Sequence, residues 1–536
     1  MVKKDIKGIW QEYMSALSYN DSIGLGEKVK RNQEFVRGRQ WGDLDRATPD
    51  IDKPVFNVLR RVKNYLLAML VSDDIGVSLS LFNRVEDGEA RIKLTAVEEQ
   101  VDQVFEYTRF RTKMREVLDN AAVDCDGCMH VFFDPNAETG WQGIKGQIET
   151  EILDNTYVFF GNTEESDPQK QPYIIIEQRR MIDDVKEEMK RNGRPQDEID
   201  KVHSTMAMNT QFLEEQYTND NKITVLIKYW KENGTIHFVK MVQDAFVKEE
   251  TDTGLKLYPI AWMSWEKVKH SYHGESAITG LIPNQIAINK LAAMANRFIR
   301  QQAFPRVIYN SNRLRQWKEG IAPIAVDGDP RDIVSFANQP TSMSAQVNEY
   351  LNTYIELTRD LMGASDAALG NVKADNTSAI IAVQKATGVP LELVRQEYYQ
   401  FVENIMRIMV DQMRVFYGQR MVVTKDELDQ PQEIPLDFSF LNDWQLQLNV
   451  DIGTAAYWSE LTTIQSLDAL FAKGLVEPVE YLEAVPKHLI PGKAKLIEKL
   501  KEKQQMMQAV EEAAMAQQPM TQGAMAANQL SAQIGA

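Results

Sequence analysis

The feature that most constrains the fold of this chain is a series of three apolar helices between Ser276 and Gly418, interrupted by segments that cannot continue a helix. The first helix carries a single apolar stripe and ends before Pro305, which lacks the N–H that a helix interior requires. Short strand-like and turn-like segments follow up to Pro340, and the apolar spacing predicts a second helix over about 343–362. The sequence therefore predicts two helices that bracket a small insertion.

A small, polar segment and a third, long helix come next. Residues 364–376 are rich in small and polar side chains that break the helical periodicity, so we predict a loop. The helix predicted over 377–418 must bend at Gly388 and Pro390. At about 1.5 Å per residue it would be roughly 60 Å long, which is unusual for a helix of a globular domain.

The rest of the chain divides into a helical N-terminal region and a β-rich middle. Apolar residues recur every three or four positions over Val55–Asp73 and Glu89–Asp124, which predicts two helices. Two strand-like runs further on flank Asn233-Gly234, a pair suited to the positive φ angles of a type I′ hairpin turn. Another strand-like segment surrounds Leu448, and short helices follow it.

Charge and hydropathy exclude several classes of protein. The chain has 536 residues, with 60 basic and 77 acidic side chains and a net charge of −17, so it is not attracted uniformly to phosphate or to anionic membranes. The longest apolar run, Tyr65–Val71, is far shorter than the roughly 20 residues that span a bilayer. The first ten residues contain lysines but no apolar segment of a secretory signal. We expect a cytosolic site of action and only local contact with nucleic acid.

The sequence gives little support for catalysis or for a cofactor. Cys125 and Cys128 have C-x-x-C spacing without the further ligands of a zinc site, so we predict reduced thiols in the core or a turn. The phosphate-binding loop of ATPases does not occur. The segment Gly274–Ile278 resembles a nucleophile elbow but lacks its last glycine, and Ser276 is better explained as a helix cap. We expect no enzyme activity, no metal and no cofactor.

Several short motifs accompany this order of elements. They are Gly38-Arg39-Gln40-Trp41, Phe56-Asn57, Tyr258-Pro259-Ile260, His273-Gly274-Glu275-Ser276, Asn284-Gln285 and Asn289-Lys290. Taken in this order, the motifs and elements resemble the portal proteins of tailed bacteriophages. The resemblance covers roughly Val29–Lys503, and it depends on the order of the motifs more than on any one of them.

The resemblance implies an α+β fold, mainly helical, with wing, stem, clip and crown regions around a central channel. The implied regions are an N-terminal helical section of the wing (1–145), a β-rich wing (146–275), the first stem helix (276–304), the clip (305–340), the second stem helix (341–363), a tunnel loop (364–376), a long kinked helix (377–418), a wing return with crown helices (419–503), and a tail rich in Gln, Ala and Met (504–536). The composition of the tail suits either a helix or a flexible segment.

Portal proteins form a ring, usually of twelve subunits, at a unique capsid vertex, where a terminase motor drives double-stranded DNA through the channel. The resemblance thus implies a non-enzymatic structural protein that is assembled in the host cytoplasm and resides in the virion. The implied partners are further copies of the chain, the terminase large subunit, a head–tail adaptor, the major capsid and scaffolding proteins, and double-stranded DNA that is bound without sequence specificity.

Three groups of candidate site residues follow from the resemblance. They are Asn371, Lys373, Asp375 and Asn376 in the tunnel loop, Lys290, Arg297 and Arg300 on the first stem helix, and Arg313, Arg315, Trp317 and Lys318 in the clip. A ring of Lys373 side chains would meet phosphates transiently while Asp375 keeps the local charge small. Trp317 among arginines is typical of a protein–protein contact, although it could equally belong to the core of the clip.

Two alternatives stay open at this point. The chain could be a minor capsid or tail adaptor protein of a different fold, or an enzyme whose site the sequence does not reveal. Electron micrographs that show a 12-fold ring would separate a portal from the first alternative. An ATPase or nuclease assay would address the second.

Overall fold

The computed structural model describes most of the chain. The described residues are 3–42, 52–71, 75–82, 88–139, 145–205, 221–303, 307–309, 334–336, 345–361, 391–425, 431–444, 446–452, 467–476, 478–485 and a few positions between 496 and 503. They belong to two compact units, which are Met1–Val71 with Tyr107–Phe416, and Ser72–Glu106 with Tyr417–Ala536.

Helices and strands are both well represented. The helices are α1 Ile6–Ser22, α2 Leu25–Arg37, α3 Val58–Leu70, α4 Gly88–Tyr107, α5 Phe110–Asp124, α6 Ile182–Arg191, α7 Gln196–Asp200, α8 Ile282–Ala303, α9 Ala345–Leu361, α10 Glu392–Phe416 and α11 Pro478–Ala484. The strands are β1 Ile75–Leu81, β2 Asp126–Glu138, β3 Lys145–Leu153, β4 Val158–Phe160, β5 Tyr173–Met181, β6 Lys222–Glu232, β7 Thr235–Met241, β8 Phe246–Asp252, β9 Ile260–Ser264, β10 Val307–Tyr309, β11 Val334–Phe336, β12 Gln419–Lys425, β13 Pro431–Asp437 and β14 Leu446–Ile452. All strand pairs among the described residues are antiparallel, so the fold is a mixed one, compatible with α+β.

A five-stranded sheet in the order β4-β5-β6-β7-β8 forms the centre of the first unit. Because side chains alternate between the faces of a strand, Ile174 and Ile176 point to one face of β5 and Ile175 to the other. The first face packs against residues of the three-stranded sheet β3-β2-β9, such as Trp262. The second face packs against α1, chiefly Tyr13. The sheet therefore has a hydrophobic core on both sides.

The predicted hairpin is confirmed. Glu232 pairs with Thr235, and Asn233 and Gly234 between them have φ angles of 51° and 90°. Glycine adopts such an angle without a steric penalty and asparagine tolerates it better than most residues, which is why this pair suits the turn.

Two helices that were not predicted from the sequence, α1 and α2, precede the sheet in the chain. Asp5 caps α1, its carboxylate accepting a hydrogen bond of 3.1 Å from the backbone N–H of Gly8. Gly24, with φ at 62°, separates α1 from α2. Ile23 and Gly24 thus form the junction between these two helices, and α2 begins directly after them at Leu25.

The predicted series of two helices around a small insertion is confirmed in its described segments. The helices α8 and α9 contact each other, and β10 pairs with β11 between them in the chain. The predicted start of the first helix was wrong, since α8 begins at Ile282 and not at Ser276. Pro283 lies in its first turn, where the missing N–H costs nothing, so it does not need to kink the helix.

The long helix is confirmed in its C-terminal half. Helix α10 covers Glu392–Phe416 and is followed by Gly418 with a φ of 56°. It packs on the three-stranded sheet, where the side-chain amide of Gln412 donates to the carbonyl of Val131 at 3.2 Å. The predicted bend at Gly388 and Pro390 lies outside the described residues.

The helix predicted over Glu89–Asp124 was wrong as a single element. It is divided into α4 and α5, because Arg109 adopts the left-handed conformation with φ at 54°. The N-terminal region, which was expected to be helical over residues 1–145, also contains strands, since β1 and β2 fall within it.

The second unit contains α4, α11 and two strand pairs. Strand β1 pairs with β14 over seven residues, from Ile75 with Ile452 to Leu81 with Leu446. Strands β12 and β13 form the other pair. Residues 467–472 are helical. The strand-like segment around Leu448 and the short helices after it are thus confirmed.

The two cysteines behave as predicted. Cys125 and Cys128 are buried, unbridged thiols, and Cys125 ends α5 with a φ of 81°. Burial raises the pKa of both thiols, which keeps them protonated and unreactive.

Candidate functional site

Two of the three groups of predicted site residues lie outside the described residues. These are the tunnel-loop residues Asn371, Lys373, Asp375 and Asn376, and the clip residues Arg313, Arg315, Trp317 and Lys318. The third group lies on α8. Lys290 and Arg297 are exposed and two turns apart, and Arg300 forms an exposed ion pair of 2.9 Å with Asp52.

The base of α8 carries a buried polar junction. The side chain of Gln285 is fully buried, and its Oε1 accepts from the backbone N–H of Val58 at 3.0 Å and of Leu59 at 3.4 Å. Its Nε2 donates to the carbonyl of Phe56 at 2.7 Å and to Oδ1 of Asn289 at 3.1 Å. The first N–H groups of a helix have no partner within the helix, so Gln285 satisfies donors at the start of α3.

Asn289, one turn further along α8, extends the junction to the segment before α3. Its Nδ2 donates to Oε1 of Gln40 at 2.6 Å, and its Oδ1 accepts from the N–H of Phe56 at 3.3 Å. Gln40 in turn donates to the carbonyl of Phe35 at 2.8 Å, and Asn57 donates to the same carbonyl at 3.2 Å. We call Gln40, Asn57, Gln285 and Asn289 the α3–α8 junction. Its four residues come from four of the motifs that carry the resemblance.

A second buried network positions the segment that leads into α8. The carboxylate of Asp126 accepts from Ser264 Oγ at 2.7 Å and from the N–H of Gly274 at 2.8 Å, and it contacts Nδ1 of His273 at 2.7 Å. A side chain at Gly274 would place its Cβ 2.6 Å from the carbonyl oxygen of Glu266, so this position requires glycine. Among the described residues, Nε2 of His273 makes no hydrogen bond. The serine thus contacts the carboxylate and not the imidazole, unlike the arrangement of a catalytic triad.

Ser276 has a capping role, although not for the helix that was predicted. Its Oγ accepts from the N–H of Ile278 at 3.2 Å and of Thr279 at 3.1 Å, which stabilises the 3-10 turn Thr279–Leu281 ahead of α8. Asn32 on α2 donates to Ser276 Oγ at 3.1 Å and to the carbonyl of Val123 at 2.8 Å. Three separate segments of the chain therefore meet at this turn.

Asp124 lies at the edge of the same region. Burial raises its pKa to about 7, while hydrogen bonds from Gln33 Nε2, at 3.1 Å to each oxygen, oppose that rise. Asn155 connects it to the second network, since its amide donates to the backbone carbonyl of Asp124 and to the carboxylate of Asp126. Sequence reasoning missed Asn32, Asp126 and Asn155, since a buried amide or carboxylate has no local pattern that distinguishes it from a surface one.

Helices α8 and α9 carry large exposed apolar side chains, which on α8 are Met294 and Ile299. On α9 these are Tyr350, Tyr354, Leu357 and Leu361, with Tyr350 63% and Leu361 69% exposed. They follow one another at intervals of four, three and four residues, which places them on one face of the helix. Thr358, on another side of α9, is fully buried. The apolar face of α9, defined by these four residues, is thus available for contact with another molecule.

None of the helices within the described ranges is long and apolar enough to cross a membrane. A scan of protein-family models finds no match to the chain, and a search of curated proteins finds no significant relative.

Proposed function

We propose that this chain is the portal subunit of a tailed bacteriophage, a structural and non-enzymatic protein. Its copies form a ring at a unique capsid vertex, and the ring provides the channel for packaging and ejection of double-stranded DNA. The order of elements from α8 to α10 supports this proposal. The hydrogen-bonded contacts at the α3–α8 junction also support it. Four separate motifs of the resemblance each supply one residue to this junction, namely Gln40, Asn57, Gln285 and Asn289.

The apolar face of α9 is the observation that carries the proposal. Burying a large apolar side chain stabilises an assembly by about 1.5–3 kcal/mol, and this face leaves four of them in water. A second copy of the chain presents the same pair of helices, α8 and α9, to the apolar face of α9. Head-to-tail contacts that repeat with a fixed rotation produce a ring when the rotation closes. The partner of this face is therefore a second copy of the chain.

The charge of the chain suits a channel through which DNA slides. Each neutralised phosphate adds salt-dependent affinity, so a channel that must not retain DNA should present few cations. The net charge of −17 is compatible with this requirement, and Lys290 and Arg297 are exposed cations of α8 that would meet DNA transiently. The proposed location is the virion, after assembly in the host cytoplasm, with terminase, the head–tail adaptor, and capsid and scaffolding proteins as partners.

The test is assembly of the purified full chain, measured by light scattering after size exclusion and by negative-stain imaging. We expect a ring of 61.3-kDa subunits for the wild type. Leu357→Glu together with Leu361→Glu should give smaller species, because each change places a carboxylate in the interface. Asn352→Glu, at an exposed polar position of α9, is the matched control and should leave the ring intact.

Monomers of the wild type, with or without scaffolding protein, would contradict the proposal. Rings that assemble but do not enter procapsids would favour the adaptor alternative. ATP or DNA hydrolysis by the purified protein would favour the enzyme alternative.

A further inference from the structure

A cluster of ionisable side chains lies at the turn end of the β6–β7 hairpin and is separate from the α3–α8 junction. His237 on β7 pairs in register with Trp230 on β6 and with Asp252 on β8, so the three side chains share one face of the sheet. Glu232 lies two residues after Trp230 on β6, and Glu250 lies two residues before Asp252 on β8, so both share the same face. The strand register alone therefore brings one imidazole and three carboxylates together.

Three of these groups converge closely. One ring nitrogen of His237 and one carboxylate oxygen each of Glu232 and Glu250 lie within 4.8 Å of one another. Nδ1 of His237 is 3.3 Å from Oε1 of Glu250. Two ligands that bind a tetrahedral zinc ion at about 2.0–2.1 Å lie about 3.3–3.4 Å apart. This pair thus already has the separation of two ligands of one ion.

The imidazole of His237 is also oriented for ligation. Its Nε2 lies 3.5 Å from Oγ1 of Thr235 and 3.9 Å from a carboxylate oxygen of Asp252. Within the described segments of the chain, its buried Nδ1 has no hydrogen-bond partner. A histidine that binds a metal commonly directs its other N–H to a carboxylate or similar acceptor, as Nε2 can do here. In that tautomer the lone pair of Nδ1 faces the carboxylate of Glu250, which is unfavourable unless a cation lies between them.

A cation of the chain itself occupies some of this space. Nζ of Lys4, in the segment before α1, is 2.6 Å from Oε2 of Glu232 and 2.8 Å from Oε1 of Glu250. Both ion pairs are substantially exposed, and such pairs stabilise a protein by only about 0–1 kcal/mol. The ammonium group can therefore be exchanged for another cation at little cost.

We propose that Glu232, His237 and Glu250 bind a first-row divalent transition metal ion, with Zn²⁺ the best match, in exchange for the ammonium of Lys4. One imidazole with two carboxylates suits zinc, whereas Mg²⁺ and Ca²⁺ prefer oxygen ligands alone. Three protein ligands leave the fourth position of a tetrahedral ion to water. The exchange frees the ammonium of Lys4, while the backbone carbonyl of Lys3 still accepts a hydrogen bond of 2.7 Å from Lys228 on β6. The expectation of no metal considered only ligands near the two cysteines, and the β7–β8 register that brings Glu250 to His237 has no local sequence pattern.

The experiment measures Zn²⁺ binding to the untagged full chain by competition with a chromophoric chelator. The wild type should bind one Zn²⁺ per chain through this site. His237→Gln and Glu250→Gln should each weaken binding by about tenfold or more, the range seen when groups of a metal site are removed. Lys4→Met keeps the aliphatic stem but removes the competing cation, and it should tighten binding severalfold, because each exposed ion pair that Zn²⁺ must break is worth about 0–1 kcal/mol.

Glu249→Gln is the matched control. Glu249 is the neighbouring residue on β8, pairs with Arg194 instead, and should leave the affinity unchanged when altered. Thermal unfolding without metal will show that each variant is folded. As a second readout, Co²⁺ should give the visible absorption of a tetrahedral site in the wild type and lose it in His237→Gln. The proposal is wrong if the wild type binds no Zn²⁺, if His237→Gln binds it as tightly, or if Lys4→Met does not bind it more tightly.

Discussion

A buried carboxyl group on β5 predicts how the stability of the first unit depends on pH. Glu177 is only 3% exposed and accepts a hydrogen bond of 2.9 Å from the hydroxyl of Tyr13 on α1. Its other oxygen, Oε1, has no hydrogen-bond partner among the described residues. Burial raises the pKa of Glu177 to about 7, and the bond from Tyr13 and the charge of Arg179 limit the rise. The perturbation to test is Glu177→Gln.

The magnitude follows from the two pKa values of Glu177. The change from 4.5 in an unfolded chain to about 7 in the fold corresponds to about 3 kcal/mol, at about 1.4 kcal/mol per tenfold change in dissociation. The folded carboxyl group keeps its proton more strongly than the unfolded one, so its contribution is fully present below about pH 4.5. It is lost progressively as the pH rises to about 7. The Glu177→Gln variant has no such loss.

The assay is urea unfolding of wild type and Glu177→Gln between pH 5 and pH 8, followed by tryptophan fluorescence, to which Trp230 in the same core contributes. From pH 5 to pH 8, the free energy of unfolding of the wild type should fall by about 2–3 kcal/mol relative to that of the variant. Tyr13→Phe removes the hydroxyl and should move the wild-type decline to higher pH. Glu187→Gln, an exposed position on α6, is the control. Parallel pH profiles for wild type and Glu177→Gln would refute the reasoning.

Three further predictions concern buried polar groups and a close backbone contact. Gln285→Leu should cost about 1–3 kcal/mol, because backbone donors of α3 lose their partner, and hydrogen exchange at residues 58 and 59 should accelerate. Gly274→Ala should lower the melting temperature by a destabilisation of about 1–3 kcal/mol, since its Cβ collides with the carbonyl of Glu266. Lys228→Met leaves the carboxylate of Glu12 without its buried partner and should cost about 3–5 kcal/mol, while adding Glu12→Gln should restore much of the loss in thermal unfolding.

Elements with a local signal could be predicted from the sequence. The turn at Asn233-Gly234 needs only positive φ angles, and two adjacent residues supply them. Helices α8, α9 and α10 have apolar residues at helical spacing and glycine or proline near their ends. The break at Arg109 could not be predicted, because neither proline nor glycine marks it and the spacing of apolar residues continues across it.

Elements that depend on distant partners were harder to predict. Strand β1 pairs with β14, far away in the chain, although the alternation of Ile75, Val77, Leu79 and Leu81 was a signal that could have identified it. Contacts of buried amides have no such signal. Nothing local distinguishes Asn289, whose partner Gln40 is 249 residues away, from an exposed asparagine.

The positions of the motifs determine which experiments can test the proposed function. Gln40, Asn57, Gln285 and Asn289 are committed to backbone and side-chain hydrogen bonds inside the fold, so their motifs are evidence about how α8 is attached to α2 and α3. Changing them should destabilise the subunit whatever its function is, since a buried polar group without a partner is costly. A test of assembly must therefore use exposed positions such as Leu357, where a substitution alters an intermolecular contact and leaves the internal hydrogen bonds in place.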